Sequence, residues 1–299
     1  MSVSTKKLGN MTARHKWKTD VKMTTKLPKH AVVLLKHTLL IGASLVMGFP
    51  FLWMILGSLK MPDEIFSGDI LALPSSFRWD NYVQAWHRAP FDRFFMNSLI
   101  VSVSTVIGQL ITCSMAAYAF ACVQFKGKNA LFLAFIATTM IPFESTMIPS
   151  YLVVKSFGLI DTHLAMILPG LTSVFGIFLM RQFFLTIPRD LLDAAKIDGC
   201  SHFSILLRIV APLSQTISAT LSLFAFIHAW NNYLWPLLVT NSTNMRTVQI
   251  GLRYMIDKEL GTQWPQLLAA STFIILPILV LFLFLQKYFV RGMVTSGLK

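Results

Sequence analysis

Amides and aromatic rings crowd into one short stretch of this chain, Trp230-Asn231-Asn232-Tyr233-Leu234-Trp235, and that pairing suits sugar hydroxyls and the apolar faces of sugar rings. An amide both donates and accepts hydrogen bonds, while an indole or phenol offers a flat apolar face. The same residues have a plainer use, as interhelical hydrogen bonds and an outer aromatic belt. Glu144 is a second candidate, an acid inside an apolar run between Pro142 and Pro149. Ionisable groups at membrane depth are costly and functional by default. Two readings stay open for it, a pathway or gate residue and a position at the outer interface. His228 is read first as a satisfied core histidine and only then as a ligand. Ser104, Thr105, Gln109 and Ser114 are read as helix-packing groups. Cys113, Cys122 and Cys200 show no CxxC or Cys/His spacing, so no metal site is expected. There is no GxxxxGK[ST] loop and no Ser/His/Asp set in a plausible context, so neither ATP binding nor nucleophilic catalysis is expected of this chain.

The elements that must position these groups are membrane helices. The chain is 55% hydrophobic and 13% charged, about half the charge of an ordinary soluble protein, and its mean hydropathy is +0.62. A bilayer core takes about 20 apolar residues in helix. Six stretches qualify: His37–Leu56, Ser98–Val123, Leu131–Tyr151, Leu164–Phe184, Leu213–Val239 and Leu267–Tyr288. The first is read as an uncleaved anchor, since no small-residue cleavage site follows it. Intraspan Pro50, Pro169 and Pro277 read as kinks, and Pro142 and Pro149 as breaks or kinks.

The net charge of +13 invites a nucleic-acid reading, but its distribution argues against one. Lys6, Lys7, Arg14, Lys16, Lys18, Lys22, Lys26, Lys29 and Lys36 crowd the N-terminus, opposed by Asp20 alone. Most remaining basic residues fall in the second and fourth loops and the tail, whereas the outer loops balance Lys and Arg against acids. Both termini are therefore placed in the cytoplasm. The expected organisation is a basic arm over 1–30, a six-span domain over 31–292 and a tail over 293–299.

The loop over 188–212 carries the most information. Pro188 cannot sit inside a helix, Asp190 can cap one, and Asp193 follows three residues later. Gly199 can take the left-handed conformation that ends a helix, and Ser201 can cap the next. Phe203, Leu206, Leu207 and Val210 then fall on one apolar stripe, and Pro212 marks entry to the fifth span. A capped pair of short helices outside the bilayer suits a groove on a soluble partner, or a lipid surface.

Ala194-Ala195, then Asp198-Gly199, then Ile209 and Pro212 resemble the EAA loop of binding-protein-dependent ABC importer permeases. Asp193 stands where that family usually has Glu, and Cys200 where it usually has Ala. Lys60 with Glu64, Asn81 to Trp86, Asn97-Ser98-Leu99, Arg181 to Phe184, Trp230 to Leu237 and Gln286 to Gly292 resemble the maltose-type carbohydrate branch, specifically its smaller second permease. That branch includes importers of glycerol 3-phosphate. The resemblance implies the all-α type I permease fold with six transmembrane helices, in the bacterial inner membrane. It also implies a coupling helix at Asp193, Ala194, Ala195, Asp198, Gly199, Cys200, Phe203, Ile209 and Pro212 that seats on an ATPase. A tail at Thr295, Ser296 and Gly297 would reach the interface of two ATPase subunits, though it lacks the family's frequent Gly-rich ending. The implied partners are a second permease, two ATP-binding subunits holding ATP and Mg, an extracytoplasmic solute-binding protein, a carbohydrate solute and membrane lipid. The pathway residues would be Glu144, Asn231, Asn232, Tyr233 and Trp235. Two rival readings are a phosphate-ester importer of the same build and a multipass membrane enzyme; the latter would need acids and histidines clustered at membrane depth.

Overall fold

The computed structural model describes residues 29–66, 72–256 and 262–296, with side chains from 30 to 289 of these. The basic arm up to residue 28 and Gly297 lie outside the described residues. Thr295 and Ser296 are described only as backbone at the end of a helix.

Every regular element among the described residues is helical: α1 (Lys29–Ser58), α2 (Asp80–His87), α3 (Phe91–Cys122), α4 (Lys128–Thr138), α5 (Phe143–Ser156), α6 (His163–Ile167), α7 (Val174–Phe184), α8 (Arg189–Ile197), α9 (His202–Ile205), α10 (Ala211–Leu213), α11 (Gln215–Trp230), α12 (Leu234–Val239), α13 (Val248–Tyr254) and α14 (Trp264–Ser296), with short 3-10 or π turns between some of them. The chain divides into two units, residues 1–50 and 51–299. In the first, no described side chain is buried; Leu39, Leu40, Leu45, Val46 and Met47 are all exposed. A helix apolar on every side is what a lipid environment selects. The second unit holds the packed bundle.

Among the described residues three helices are long and apolar enough to cross a membrane: α1, α3 and α14. Three further pairs reach that length only when a bend is bridged. α4 and α5 meet at 97°, α6 with its 3-10 turn meets α7 at 44°, and the segment from α9 to α10 meets α11 at 85°. The sequence places breaks or kinks at Pro142 and Pro149 and a kink at Pro169. Pro142, lacking an amide hydrogen, stands immediately before α5 and ends the straight run, as expected. Pro149 instead lies inside α5 without stopping it, and Pro50 and Pro277 lie inside α1 and α14. Pro169 falls in the 3-10 turn Leu168–Gly170. The run Leu213–Val239 is interrupted at Asn231 to Tyr233, between α11 and α12.

α3 is the pillar of the second unit, with α7, α11, α6 and α13 against it. Small residues set the closest crossings. A Cβ on Gly176 would stand 2.9 Å from both the Cys113 sulfur and a Leu221 methyl, and one on Gly251 would strike the Phe94 ring. In lipid, helix association gains little from the hydrophobic effect and depends on such close packing and on polar links. Trp230, fully buried, stacks on Phe226 with centroids 5.5 Å apart and donates its indole N–H to the Ile274 carbonyl at 3.1 Å. That ring fastens α11 to α14 and is not a free face for a solute.

Candidate functional site

Backbone breaks create the first candidate site. The α6–α7 break interrupts the helical bonding of its carbonyls, and α3 reaches them from one face; the Ser173 carbonyl also accepts from the Ile177 amide at 2.9 Å. Gln109 donates to the Gly170 carbonyl at 2.9 Å, Thr112 to Leu171 at 2.7 Å and the Cys113 thiol to Ser173 at 3.5 Å. Positions i, i+3 and i+4 share a helix face, so one row reaches three carbonyls of the break. Ser173 then starts α7, its hydroxyl accepting from the Gly176 amide at 3.2 Å. Irregular backbone at membrane depth is tolerated where protein buries it or it lines a cavity. Here it does line one.

That cavity measures about 470 Å³. Its polar lining comes from Thr105, Gln109, Thr172, Ser173, His228 and Asn232, and its aromatic lining from Phe143, Phe175, Phe224 and Trp235. Among the described residues no Lys, Arg, Asp or Glu lines it. Of the five residues singled out for a pathway, two are there. Asn232 accepts from the Trp235 amide at 3.4 Å, and Trp235 donates its indole N–H to the Ala165 carbonyl at 3.0 Å while meeting Phe143 edge-on. Asn231 is exposed and accepts from Gln249 at 3.1 Å; Tyr233 is half-buried just before α12, away from the lining. Glu144 is exposed in the first turn of α5, beside Phe143 but not in the lining itself. Thr172, Ser173 and Phe175 come from the break before α7 and its first turn, and Phe224 from α11. The one available signal was Gly170 followed by a capping Ser173.

The second candidate site is the segment between α7 and α11. α8 begins at Arg189, with Pro188 in the preceding position, so Asp190 lies in the first turn and does not cap it. Its negative charge there still opposes the positive end of the helix dipole. Asp193 does not reach back either; it pairs with Lys196 at 2.8 Å, an exposed ion pair of small energetic worth. At the other end Gly199 has φ +81°, its amide bonds the Lys196 carbonyl at 3.0 Å, and the Cys200 amide bonds Ala195 at 3.0 Å. Those two bonds make the Schellman closure that a glycine permits. Ser201 then caps α9 through the Ser204 amide at 3.3 Å.

The apolar stripe divides. Leu206 and Val210 are buried, together with Ile205, whereas Phe203 and Leu207 are exposed. The cause is the π turn Leu206–Val210, which fits an extra residue into the helix and rotates what precedes it. Leu192 and Ala195 of α8 are buried in the same cluster as Tyr118 of α3, Met180 and Phe184 of α7 and Leu221 of α11. Cys200 and Ile209 pack partly against it. Tyr118 and His202 add a polar tie of 3.0 Å. Ala194, Asp198 and Pro212 are exposed, and Ile197 is 87% exposed. The segment is thus rooted on one side in the bundle and bare on the other, where Leu191, Ile197, Phe203 and Leu207 are uncovered.

At the opposite end of the bundle a polar knot gathers three segments. Asn97 donates to the carbonyls of Asn244 and Arg246 at 2.7 and 2.9 Å and accepts from His163 at 2.9 Å. Asp161, at φ +64°, accepts from the amides of Asn241 and Ser242 at 2.9 and 3.0 Å. The Ser242 amide is the main cause holding the Asp161 carboxyl below its ordinary range, with Asn241 and the Arg246 charge adding to it.

A helical bundle with long apolar helices, an uncharged internal cavity and a half-rooted projecting helix pair is the build of a membrane transport component. The family described as "Binding-protein-dependent transport system inner membrane component" matches residues 109–295, and the chain belongs to it. It is a transport permease and not an enzyme. The chain is 37% identical over 259 residues to the "Arabinooligosaccharides transport system permease protein AraQ" of Bacillus subtilis (strain 168), covering 86% of this chain and 92% of that one. It is 33% identical over 267 residues to the "sn-glycerol-3-phosphate transport system permease protein UgpE" of Yersinia pestis, covering 87% and 95%. Its fold is similar to a chain in the crystal structure of a bacterial ABC transporter involved in the import of the acidic polysaccharide alginate, with TM-score 0.74, 24% identity, and coverage of 87% and 97%.

Proposed function

We propose that this chain forms half of the translocation pathway for an uncharged carbohydrate, an oligosaccharide or related polyol. The observation that carries the reading is the cavity of about 470 Å³, lined by hydroxyls, amides, one imidazole and aromatic rings, with no charged side chain among the described residues. Asn232 and Trp235 are its proposed solute contacts, and Glu144, Asn231 and Tyr233 are proposed at its approaches. A permease named for arabino-oligosaccharides supports the same class. The chain crosses the inner membrane six times with both ends cytoplasmic, α1, α3 and α14 each giving one span, the bent pairs α4–α5 and α6–α7 one each, and α11 with α12 the remaining one. It pairs with a second permease, two ATP-binding subunits and an extracytoplasmic solute-binding protein, and it lies in membrane lipid. It binds no cofactor of its own; ATP and Mg belong to the ATPase.

In this reading Asp193, Ala194, Ala195, Asp198, Gly199, Cys200, Phe203, Ile209 and Pro212 form the coupling element. The bare face of Leu191, Ile197, Phe203 and Leu207 seats on the ATPase. The rooted face of Leu192, Ala195, Ile205 and Val210 transmits its displacement to α3, α7 and α11, a rigid-body shift of packed elements. Thr295, Ser296 and Gly297 are proposed to touch the ATPase pair.

Uptake by the reconstituted transporter tests the solute class. Neutral oligosaccharide should be transported, and Asn232→Lys should abolish that uptake while the chain remains in the membrane. Uptake of glycerol 3-phosphate in preference to neutral sugar would overturn the reading. That second reading rests on the glycerol 3-phosphate permease among the relatives. It requires a phosphate-binding cation in the pathway, which the partner permease would have to supply.

A further inference from the structure

Arg181 stands in the last turn of α7 and joins it to two other helices. Its Nε–H donates to the Phe120 carbonyl at 3.2 Å, two residues before the end of α3. The last carbonyls of a helix have no partner within it, and a cation there opposes the negative end of the helix dipole. The guanidinium also lies over the Phe132 ring of α4, 4.0 Å from its centroid. A cation over an aromatic face is attracted by the ring's quadrupole, most strongly where water is excluded. Among the described residues Arg181 has no ion pair, so its charge is answered by that carbonyl and that ring. Phe132 is held in turn by Phe120 of α3 at 5.4 Å and by Phe178 of α7, stacked at 6.5 Å.

α4 depends on this joint. No residue of α4 is buried, and the helix packs on α7 and α3. Lys128 at its start adds one bond to the Val123 carbonyl at 3.0 Å. The buried cluster that roots α8 draws nothing from α4, and among the described residues Phe132 is the α4 side chain packed against it. Beyond the bend, α5 carries Phe143 to the wall of the large cavity, where it meets Trp235. α7 leads into the projecting helix pair, with Met180 and Phe184 buried beside Leu192 and Ala195 of α8. We propose that Arg181 is the positioning residue that makes α4 move with α7, so that displacement of α8 reaches the cavity wall through α4 and α5. The inference rests on the coupling role proposed for α8. Packed elements shift as rigid bodies while the contacts between them hold.

Solute uptake and ATP hydrolysis by the assembled transporter in proteoliposomes test this, with the thermal midpoint of each variant measured beside them. Arg181→Met should lower the solute moved per ATP about fivefold, the scale at which one residue on a coupling route acts. Arg181→Lys keeps the charge and loses the planar fork, so it should recover part of that loss. Phe132→Leu leaves the carbonyl bond and removes the ring face, and it should lower the ratio as well. The two changes combined should be no worse than Arg181→Met alone, because both cut the same link. An unchanged ratio in Arg181→Met, with only a lowered midpoint, overturns the proposal in favour of plain packing. Losses that multiply in the double variant overturn it too. Should Arg181→Met fail to assemble, Arg181→Lys and Phe132→Leu still decide, and parental ratios in both overturn it. The ratio is taken with whichever solute the parent moves, so a parent that imports glycerol 3-phosphate and not sugar fails the solute reading alone. Full uptake by Gly199→Val would remove the coupling role of α8, an outcome read separately from the Arg181 ratio.

Discussion

The phenol of Tyr118, buried on α3, lies 3.0 Å from the imidazole Nδ1 of His202, the first residue of α9. It is the polar tie between the pillar of the bundle and the projecting helix pair, among ties that are otherwise apolar. Tyr118→Phe keeps the ring and removes a bond worth about 1 kcal/mol. The expected result is less solute moved per ATP hydrolysed by the assembled transporter, at unchanged chain abundance. An unchanged ratio of uptake to hydrolysis would dismiss the tie as ornamental.

Gly199 offers a cleaner perturbation, because nothing lies within 4 Å of where its Cβ would be. Only the φ of +81° objects to a side chain. Gly199→Asn should therefore be mild, Gly199→Ala intermediate at about 1 kcal/mol, and Gly199→Val worst. Transport should follow that order while membrane insertion does not. Wild-type uptake by the valine variant would remove the coupling assignment.

The α8–α9 turn was also the part most readable from sequence. A left-handed glycine and a capping serine act through bonds to residues three to five away, so the letters alone determine them. The stripe beyond it was not readable. Phe203, Leu206, Leu207 and Val210 are evenly spaced on an α-helix, and only the π turn separates the buried pair from the exposed pair. The cavity was harder still. Trp230 and Trp235 look alike in sequence, yet one is spent fastening α11 to α14 and the other borders the cavity. Thr172, Phe175 and Phe224 owe their roles to how α7 and α11 meet α3, which no local pattern encodes.

Gly176 tests the crossing of α3, α7 and α11. Gly176→Ala would press a methyl to within 2.9 Å of the Cys113 sulfur and a Leu221 methyl, closer than such atoms pack, so both must shift. Overpacking of this kind costs about 1–3 kcal/mol. Thermal unfolding in detergent should show a lowered midpoint, and Gly176→Leu a far larger loss. Cys113→Ala, by making room, should recover part of the loss in the double variant.

Asp161 gives a pH signature. Its carboxyl is held below its ordinary value of 3.8 by the Ser242 amide first, then by Asn241 and Arg246. The folded form thus favours the charged state, so this contribution is fully present above the ordinary value. It is lost as pH falls through the lower, folded one. Acidification from pH 6 to about pH 3 should loosen the 240–247 segment in the parent, read by hydrogen exchange of the Asn241 and Ser242 amides. Asp161→Asn should show faster exchange at pH 6 and much less further change on acidification. Identical pH profiles for the two would refute the account.

The π turn at Leu206–Val210 has a consequence for how this chain can change length. Such a turn is one residue stored within a helix, and deleting any of the five would let the segment relax into ordinary α-helix with its hydrogen bonds intact. Five residues at the π pitch turn the chain through nearly the same angle as four at the α pitch, so what precedes the deletion would keep its heading. Phe203 and α8 would face the same way on a chain one residue shorter. A deletion from the regular helix of α11 has no such slack and would turn everything before it by about 100°. The π turn is thus a spare link, the one place in this stretch where a residue can be lost without redirecting the helices on its far side.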